Sequence, residues 1–472
     1  MAENILRHLI IFSNIFFFFF LIIYSTYLLI CGVYGSVKMY RYRKMERLHN
    51  ELEHEFYFPI SIIVPVYNEG TTGVQTVQNL LKQDYTHYEI VIVDDGSKDN
   101  TKELMIEAFS LKKEKYRPVR YVVPCKPVRE VYSARRGDVL ITLISKENGG
   151  CKADAVNAGI NVSAYPYFVN MDGDEILQKD ALKYVGRAFL EDDHVIAAGG
   201  NLKISNNARF TDAMPVSNPF GKNLVVDMQM VEYGRSFIGS RMFQNMLNMN
   251  LIISGGYGVF KKSAVVEIGG YDSKSMGEDM ELTIHLHEYY RKNKKPYVMK
   301  YVPDSVCWTQ APESMKDLTR QRERWNCGLL QTLKKYKHMI LNVKYGCIGM
   351  FMLPYMIIYE LLAPAFVLLG IVVIAGGLIL GVLNVSYVIY LNVLYFLFGI
   401  IFSMVSYLDN IYTKTNFVTG KDICKGLLVC FLDVLFFRPY LMCVGFKSYF
   451  SSKKVAGKWV SPNRVKVETT DD

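Results

Sequence analysis

Residues 10–34 form an uncharged, almost wholly apolar stretch, and residues 350–408 form a longer one in which Glu360 is the single charge. About 20 such residues, as a helix, cross the hydrocarbon core of a bilayer. A third apolar region covers 427–446. Within a bilayer every backbone polar group must be satisfied internally, so only helices and closed barrels span it. These stretches therefore commit both ends of the chain to membrane helices and leave the polar middle to fold in water. The first stretch is longer than the apolar part of a cleaved signal peptide and lacks a small-residue cleavage site. Lys38, Arg41, Arg43, Lys44 and Arg47 follow it at once, and the positive-inside rule assigns that flank, with everything attached to it, to the cytoplasm.

The number of crossings after residue 349 stays open on pattern. Residues 350–408 hold either two spans plus an interfacial helix around 354–364, or three closely joined spans. The loop with Lys414, Lys421 and Lys425 and the tail with Lys453, Lys454 and Lys458 both read as cytoplasmic. Residues 427–446 are then re-entrant, or one member of an even number of crossings. Asp433, Arg438 and Pro439 inside that segment require burial in protein or a polar channel rather than contact with lipid.

Hydrophobic residues make up 50% of the 472, too many for an ordinary soluble enzyme. The formal net charge of +9 would suit nucleic acid. Much of the excess lies near membrane ends and in basic loops, where anionic headgroups account for it. No zinc-finger, helix-turn-helix or RNP-like pattern is present, so membrane lipids are expected as partners and nucleic acid is not. The nine cysteines show no paired CxxC spacing, and Cys31, Cys347, Cys424, Cys430 and Cys443 lie in or beside apolar segments. That usage fits reduced thiols in a cytoplasmic, membrane-bound protein rather than disulfides or zinc.

The polar middle reads as one α/β domain. Ile60-Ser-Ile-Ile-Val64 and Glu89-Ile-Val-Ile-Val93 are short β-branched runs separated by a helix-like stretch at 72–82. This alternation predicts a parallel sheet covered on both faces. Residues 105–146 are longer than such a unit requires, and the basic stretch 117–136 reads as an insertion. Tyr167-Phe-Val-Asn-Met171 is a further buried strand. Residues 311–345 look helical, with Trp325, Leu329, Leu330 and Leu333 on one side and Lys334, Lys335 and Lys337 beyond. Such a helix suits a membrane surface, or the flank of the catalytic domain, equally well. No internal repeat is found.

Acidic motifs stand at what read as strand ends, where open α/β sheets bind ligands. Asp172-Gly173-Asp174 follows an apolar strand and offers two carboxylates on a tight turn, a donor set that suits magnesium or manganese together with substrate phosphates. Asp94-Asp95-Gly96-Ser97 has the same placement. A carboxylate there can bind a base NH or a ribose hydroxyl, and can equally make an Asx turn or helix cap. Pro65-Val-Tyr67-Asn-Glu69, after the first strand, offers an aromatic ring and polar groups to the same nucleotide. Gly149-Gly-Cys-Lys152-Ala-Asp154 combines a flexible backbone with a cation suited to phosphate. Gly277-Glu278-Asp279 supplies a candidate base, Asp279, for deprotonating a sugar hydroxyl. The same acidic residues would suit a helix N-terminus. Gln321-Arg322-Glu-Arg324-Trp325 is the most discriminating element, because arginine forks grip a diphosphate and tryptophan stacks on sugar rings. Only three tryptophans occur in the chain.

In this order the motifs resemble glycosyltransferase family 2, specifically the processive membrane synthases related to cellulose, hyaluronan, chitin and poly-N-acetylglucosamine synthases. The resemblance covers roughly residues 58–345, and the apolar flanks follow the same layout. It implies a GT-A (Rossmann-like nucleotide-binding) α/β domain in the cytoplasm plus an α-helical transmembrane region. It implies a UDP-sugar donor, Mg2+ or Mn2+, and a single inverting displacement. Carried over, Asp94 or Asp95 holds uridine, and Asp172 and Asp174 contact diphosphate and metal. Lys152 lies near the phosphates, Asp279 is the base with Glu278 beside it, and Gln321, Arg324 and Trp325 close the acceptor and diphosphate site with Arg322. The base motif has Gly277 where cellulose-type enzymes have threonine. Phe417-Val-Thr-Gly-Lys421 approximates a gating-loop motif one residue short, and Gly457-Lys-Trp459 is similar to a C-terminal tryptophan motif of hyaluronan-type enzymes.

The expected organisation is a membrane helix at 1–36, a basic linker at 37–57 and a catalytic domain at 58–310. Interfacial helices follow at 311–348, membrane and interfacial helices at 349–450, and a cytoplasmic tail at 451–472. The expected function is multi-pass, plasma-membrane polymerisation of glucose or N-acetylglucosamine onto a growing polysaccharide, with export and possible accessory export subunits. The alternative is transfer of one sugar to a polyprenyl phosphate or other lipid.

Overall fold

The structure, a computed structural model, describes residues 2–49, 58–115, 119–411 and 419–455. Phe417 and Val418 of the gating-loop-like motif, the whole Gly457-Lys-Trp459 motif, Lys414, Lys458 and residues 50–57 lie outside the described residues.

Helix α1 (Ala2–His49) leads to β1 (Ile60–Val66), α2 (Gly70–Leu80), β2 (Tyr88–Asp94) and α3 (Thr101–Phe109). Next come β3 (Lys112–Lys113), β4 (Val128–Arg136), β5 (Val139–Lys146), α4 (Lys152–Val162), β6 (Tyr167–Met171), β7 (Ile176–Leu177) and α5 (Ala181–Leu190). The chain continues through β8 (Val195–Ile204), β9 (Arg209–Thr211), β10 (Met214–Ser217), α6 (Leu224–Gly234), a π-helical turn (Arg235–Ser240) and α7 (Arg241–Met246). The domain is completed by β11 (Tyr257–Lys261), α8 (Lys262–Glu267), α9 (Glu278–Lys292), β12 (Val298–Thr309) and α10 (Met315–Lys335). Beyond it lie α11 (Leu353–Tyr355), α12 (Ala363–Ile379), α13 (Val385–Ile411), α14 (Gly420–Leu432), a π-helical turn (Asp433–Phe437) and α15 (Arg438–Val455).

The strands form a mixed sheet in the order β3-β4-β5-β2-β1-β6-β11-β8-β12-β7. The run β5-β2-β1-β6 is parallel, and β11 enters antiparallel between β6 and β8. Alternation of side chains explains why these strands are apolar on both faces. Ile60, Ile62, Val64 and Val66 of β1 join a core with α2, α3 and α5. Ile63 faces the opposite core, shared with α4, α8 and α9. Parallel strands with helices on both sides put the loops after β1, β2 and β6 at one edge, and this edge carries the site.

Two expectations change. The stretch 117–136 is not simply an insertion: its second half is β4, which forms a hairpin with β5, and β5 pairs in register with β2. The β5 run Val139-Leu-Ile-Thr-Leu-Ile144 is β-branched and apolar enough to have been read as a strand. The motif Gly277-Glu278-Asp279 opens a helix instead of closing a strand. Gly277 is the N-cap of α9, whose first turn is acidic and whose last turn carries Arg291 and Lys292, the polarity that a helix dipole favours.

Among the described residues three helices are long and apolar enough to cross a membrane: Ile10–Arg41, Val385–Asp409 and Gly420–Phe450. A bent pair, Ile348–Leu361 and Ala363–Ile379, turns through 53° and passes the same test when taken together. The polar residues of the last apolar region are buried in protein. Asp433 is fully buried and pairs with Arg235 at 2.5 Å and Arg438 at 3.0 Å. All nine cysteines are free.

Candidate active site

β1 and β2 lie side by side, with Pro65 opposite Val93 and Val66 opposite Asp94, so their following loops share the edge. The two loops are clipped together: Asn68 N–H donates to Ser97 Oγ at 3.1 Å, and Lys98 N–H donates to Asn68 Oδ1 at 2.8 Å. Asp94, the last residue of β2, is buried and accepts from Ser97 N–H and from Ser145 Oγ, each at 3.0 Å. The first of these bonds makes the Asx turn that its sequence allows. Asp95 accepts from Gly149 N–H at 3.0 Å and pairs with Lys146, which is itself buried. Lys146 also pairs with Asp154 at 2.6 Å. Asp95 and Asp154 are thus tied to one buried lysine that joins the loop after β2 to α4. Pro65 and Tyr67 are half-buried at the same edge, and the Glu69 carboxylate lies against Gly173. The Asp172-Gly173-Asp174 turn is therefore in contact with the first loop.

A second group of residues converges on the peptide of Gly255, in the loop before β11. Its carbonyl accepts from Lys152 Nζ at 2.6 Å and from Asn170 Nδ2 at 3.1 Å. Its N–H donates to Asp279 Oδ2 at 3.0 Å. The next carbonyl, Gly256, accepts from Asp172 N–H at 3.3 Å. Lys152 also pairs with Asp172. A Cβ at 255 would come within 3.2 Å of Glu278 Oε1, so the backbone here runs close against the acidic start of α9. The backbone on either side of Gly255 thus ties the lysine, the Asp-x-Asp turn and the acidic start of α9 together. Sequence reasoning missed Ser254-Gly255-Gly256. Its only signal is a glycine pair ahead of the apolar run Tyr257-Gly-Val-Phe260.

Negative charge dominates this cluster. Burial, then the neighbouring Asp279, pushes the Glu278 carboxyl up to about 7, while Lys152 and Arg324 pull it down. Burial and the charges of Asp172 and Asp174 hold Glu175 well above the usual carboxylate range. Burial opposes the charge on Lys152, yet Asp172 and Glu278 keep its pKa above the usual lysine value. Among the described residues no group of three or more His, Cys, Asp or Glu side chains forms a complete metal cage. Two carboxylates on one turn, in excess negative charge and with only oxygen donors, fit a hard divalent cation that takes its other ligands from phosphate and water.

Helix α10 closes the site. Its N-cap Ser314 accepts from Asp317 N–H at 3.1 Å, and Lys334 and Lys335 occupy its last turn. It lies along the start of α9: Gln331 Oε1 accepts from Met276 N–H at 3.0 Å, and Lys335 reaches Asp272 at 2.7 Å and Glu281 at 2.6 Å. This packing brings Arg324 within electrostatic reach of Glu278. Gln321 is half-buried, and its Oε1 has no partner among the described residues. Arg322 turns elsewhere, donating to Glu232 Oε2 at 2.6 Å while its guanidinium covers the Trp325 ring 4.2 Å from the centroid. The other side of α10 meets α15, where Thr319 Oγ1 and Tyr440 Oη are 2.6 Å apart and Lys447 pairs with Glu323 at 2.9 Å. Helix α10 thus packs on the catalytic domain along one side and on α15 along the other.

Residues 167–408 match the family model for glycosyl transferase family group 2, and residues 61–124 match that for glycosyl transferase family 2. The chain is 30% identical over 309 residues to poly-beta-1,6-N-acetyl-D-glucosamine synthase of Staphylococcus aureus (strain COL), covering 65% of this chain and 63% of that relative. The synthase of the same name from Staphylococcus epidermidis is 29% identical over 311 residues, with the same shares covered. The match thus spans less than two thirds of the relatives' length. In fold the chain is similar to a mannosyltransferase from Pyrobaculum calidifontis solved with GDP-Man and Mn2+. The TM-score is 0.50 at 16% identity, over 83% of this chain and 98% of that one.

Proposed function

The chain belongs to glycosyl transferase family group 2, whose model covers just over half of it, and on that premise we propose that it is a membrane-embedded, inverting, processive β-glycosyltransferase. It polymerises a sugar from a UDP donor and passes the product outward. N-acetylglucosamine is the sugar favoured, since it is the one named in the relatives' products. The observation that carries the reading is the Gly255 peptide, whose carbonyl bonds Lys152 and whose N–H bonds Asp279. Diphosphate-binding and proton-accepting groups therefore stand on opposite sides of one glycine.

In this reading Pro65 and Tyr67 flank the base, and Asp94 or Asp95 holds uridine, with Glu69 beside them. Asp154 acts at one remove, through Lys146. Lys152 and Arg324 hold the diphosphate, and their charges stabilise it as it leaves. Mg2+ or Mn2+, held by Asp172 and Asp174, would offset the negative charge of the leaving diphosphate. Asp279 accepts the proton of the acceptor hydroxyl as that oxygen attacks the anomeric carbon, with Glu278 beside it. Gln321 offers an unpartnered oxygen to the acceptor side, and Trp325 stacks on the terminal sugar.

The organisation proposed is a membrane helix at 1–36, a linker at 37–57, a catalytic domain at 58–310 and interfacial helices at 311–348. Membrane helices at 349–450 and a tail at 451–472 complete it. The basic residues after the first span support a catalytic domain in the cytoplasm of a multi-pass plasma-membrane protein, with room for accessory export subunits.

The test is to incubate membranes containing the protein with a panel of UDP-sugars and digest the product with linkage-specific glycosidases. Polymer from UDP-N-acetylglucosamine is expected. A single sugar transferred to lipid, or no UDP release with any donor, would overturn the proposal.

A further inference from the structure

Glu232 belongs to none of the motifs legible in the sequence, yet it holds the arginine that covers the exposed tryptophan. The Glu232–Arg322 pair, at 2.6 Å, is largely shielded, with side chains 14% and 12% exposed. The Arg322 guanidinium lies 4.2 Å from the centroid of the Trp325 ring, while Trp325 itself remains 40% exposed. A free arginine side chain samples many rotamers, but a bidentate-capable fork fixed by a carboxylate and stacked on an indole has few left. One part of the ring is thereby capped by a held cation, and the rest is open to solvent.

Glu232 also lies within electrostatic reach of Arg235. Three residues on, and so on the same helix face, Arg235 begins the π-helical turn and bonds Asp433 at 2.5 Å and Ser403 at 3.3 Å. Asp433 stands on a π-helical turn of its own, between α14 and α15. Such turns concentrate at functional positions. Arg322, Glu232, Arg235 and Asp433 thus make a charged group beside the last apolar helices, in which Glu232 and Arg235 act on each other through charge without a direct bond.

We propose that Glu232 is a positioning residue for the acceptor glycan. It sets Arg322, and through it the orientation of the Trp325 ring on which the terminal sugar stacks, and it keeps that ring in line with the membrane helices. This rests on the glycosyltransferase reading above. Glu232 touches neither donor nor acceptor, so its loss acts on elongation and spares donor chemistry.

The test uses the full chain in detergent, as Glu232→Ala, Glu232→Gln and Arg322→Ala. Elongation of a short β-linked N-acetylglucosamine oligosaccharide is compared with UDP release in its absence. Glu232→Ala is expected to raise the apparent KM for the oligosaccharide by on the order of tenfold to a hundredfold, a size typical of misplaced binding groups. UDP release without acceptor stays unchanged in Glu232→Ala, Arg322→Ala raises the same KM, and the double variant raises it no further than either single one. Glu232→Gln, which keeps the shape, is expected to fall between. Trp325 emission, taken as the difference from the matching Trp325→Phe protein without any sugar, shifts in Glu232→Ala. Equal loss of elongation and UDP release, loss of neither, or an unshifted emission would overturn the proposal. A wild-type protein that makes no polymer would overturn the glycosyltransferase reading instead, and the emission comparison would still decide whether Glu232 sets the ring.

Discussion

Gly328 and Gly277 meet backbone to backbone: a methyl group on Gly328 would lie 2.8 Å from the Gly277 nitrogen and 2.9 Å from its Cα. Helix α10 can therefore lie directly against the turn that begins α9, with Gln331 bonded to Met276 one turn further along. The contact also accounts for glycine at 277, where cellulose-type enzymes have threonine. A side chain there would press on the Gly328 Cα at 3.3 Å.

Gly328→Ala tests that contact. Alanine in a helix gains up to about 1 kcal/mol over glycine, while overpacking costs about 1–3 kcal/mol, so a net loss of about 1 kcal/mol is expected. The displaced Arg324 should lower UDP release by on the order of 10²-fold. Thermal unfolding and a UDP-release assay on the same preparation check both, and wild-type values in both would refute the coupling.

Asp279→Asn removes the proton acceptor and keeps the shape. Transfer is expected to fall by on the order of 10²–10⁴-fold, the usual scale for a general base, while UDP still binds. Activity and isothermal UDP titration together decide it. Polymer synthesis at the wild-type rate would rule out Asp279 as the base.

Acid should destabilise the catalytic domain through His287. The ring is fully buried, with Nδ1 2.7 Å from Tyr297 Oη and Nε2 2.9 Å from the Asn250 carbonyl. Burial, with Arg291 adding to it, lowers its pKa from 6.5 to about 4, against the smaller opposing effect of the Asn250 carbonyl. Between those values the unfolded chain binds the proton and the folded chain does not. Stability is therefore lost as pH falls from about 6.5 towards 4, by on the order of 3 kcal/mol in total. Melting curves across that range should show the slope, and His287→Gln should flatten it.

Asp433→Ala strands two arginines, Arg235 and Arg438, inside protein at membrane depth. Breaking a buried pair from one side costs about 3–5 kcal/mol, so the variant should melt well below wild type in detergent. Adding Arg235→Ala is expected to restore part of the loss. A single variant as stable as wild type would show that the cluster contributes nothing.

Much of the sheet and part of the site were legible because they are written locally. Ile60-Ser-Ile-Ile-Val64 and Tyr167-Phe-Val-Asn-Met171 are apolar on both faces, and β1 and β6 form where those runs fall. Asp94 ends β2, and Asp172 directly follows β6. The acidic start of α9 was legible as a helix terminus too, yet its distance from Lys152 and Asp172 along the chain concealed that all three share Gly255.

Local pattern was enough for the long apolar helices at both ends, the α/β middle and the acidic motifs near its parallel strands, because periodicity, apolar length and charge are local properties. Only the tertiary structure decided which of those residues share a peptide and which are held by others. Lys152 reaches the Gly255 carbonyl across 103 residues, and Arg322 reaches Glu232 across 90. A main-chain carbonyl is the same in every residue, and a glutamate in mid-helix looks like any solvated one. Packing alone distinguishes them, by bringing each within bonding distance of a partner whose place in the sequence carries no sign of it.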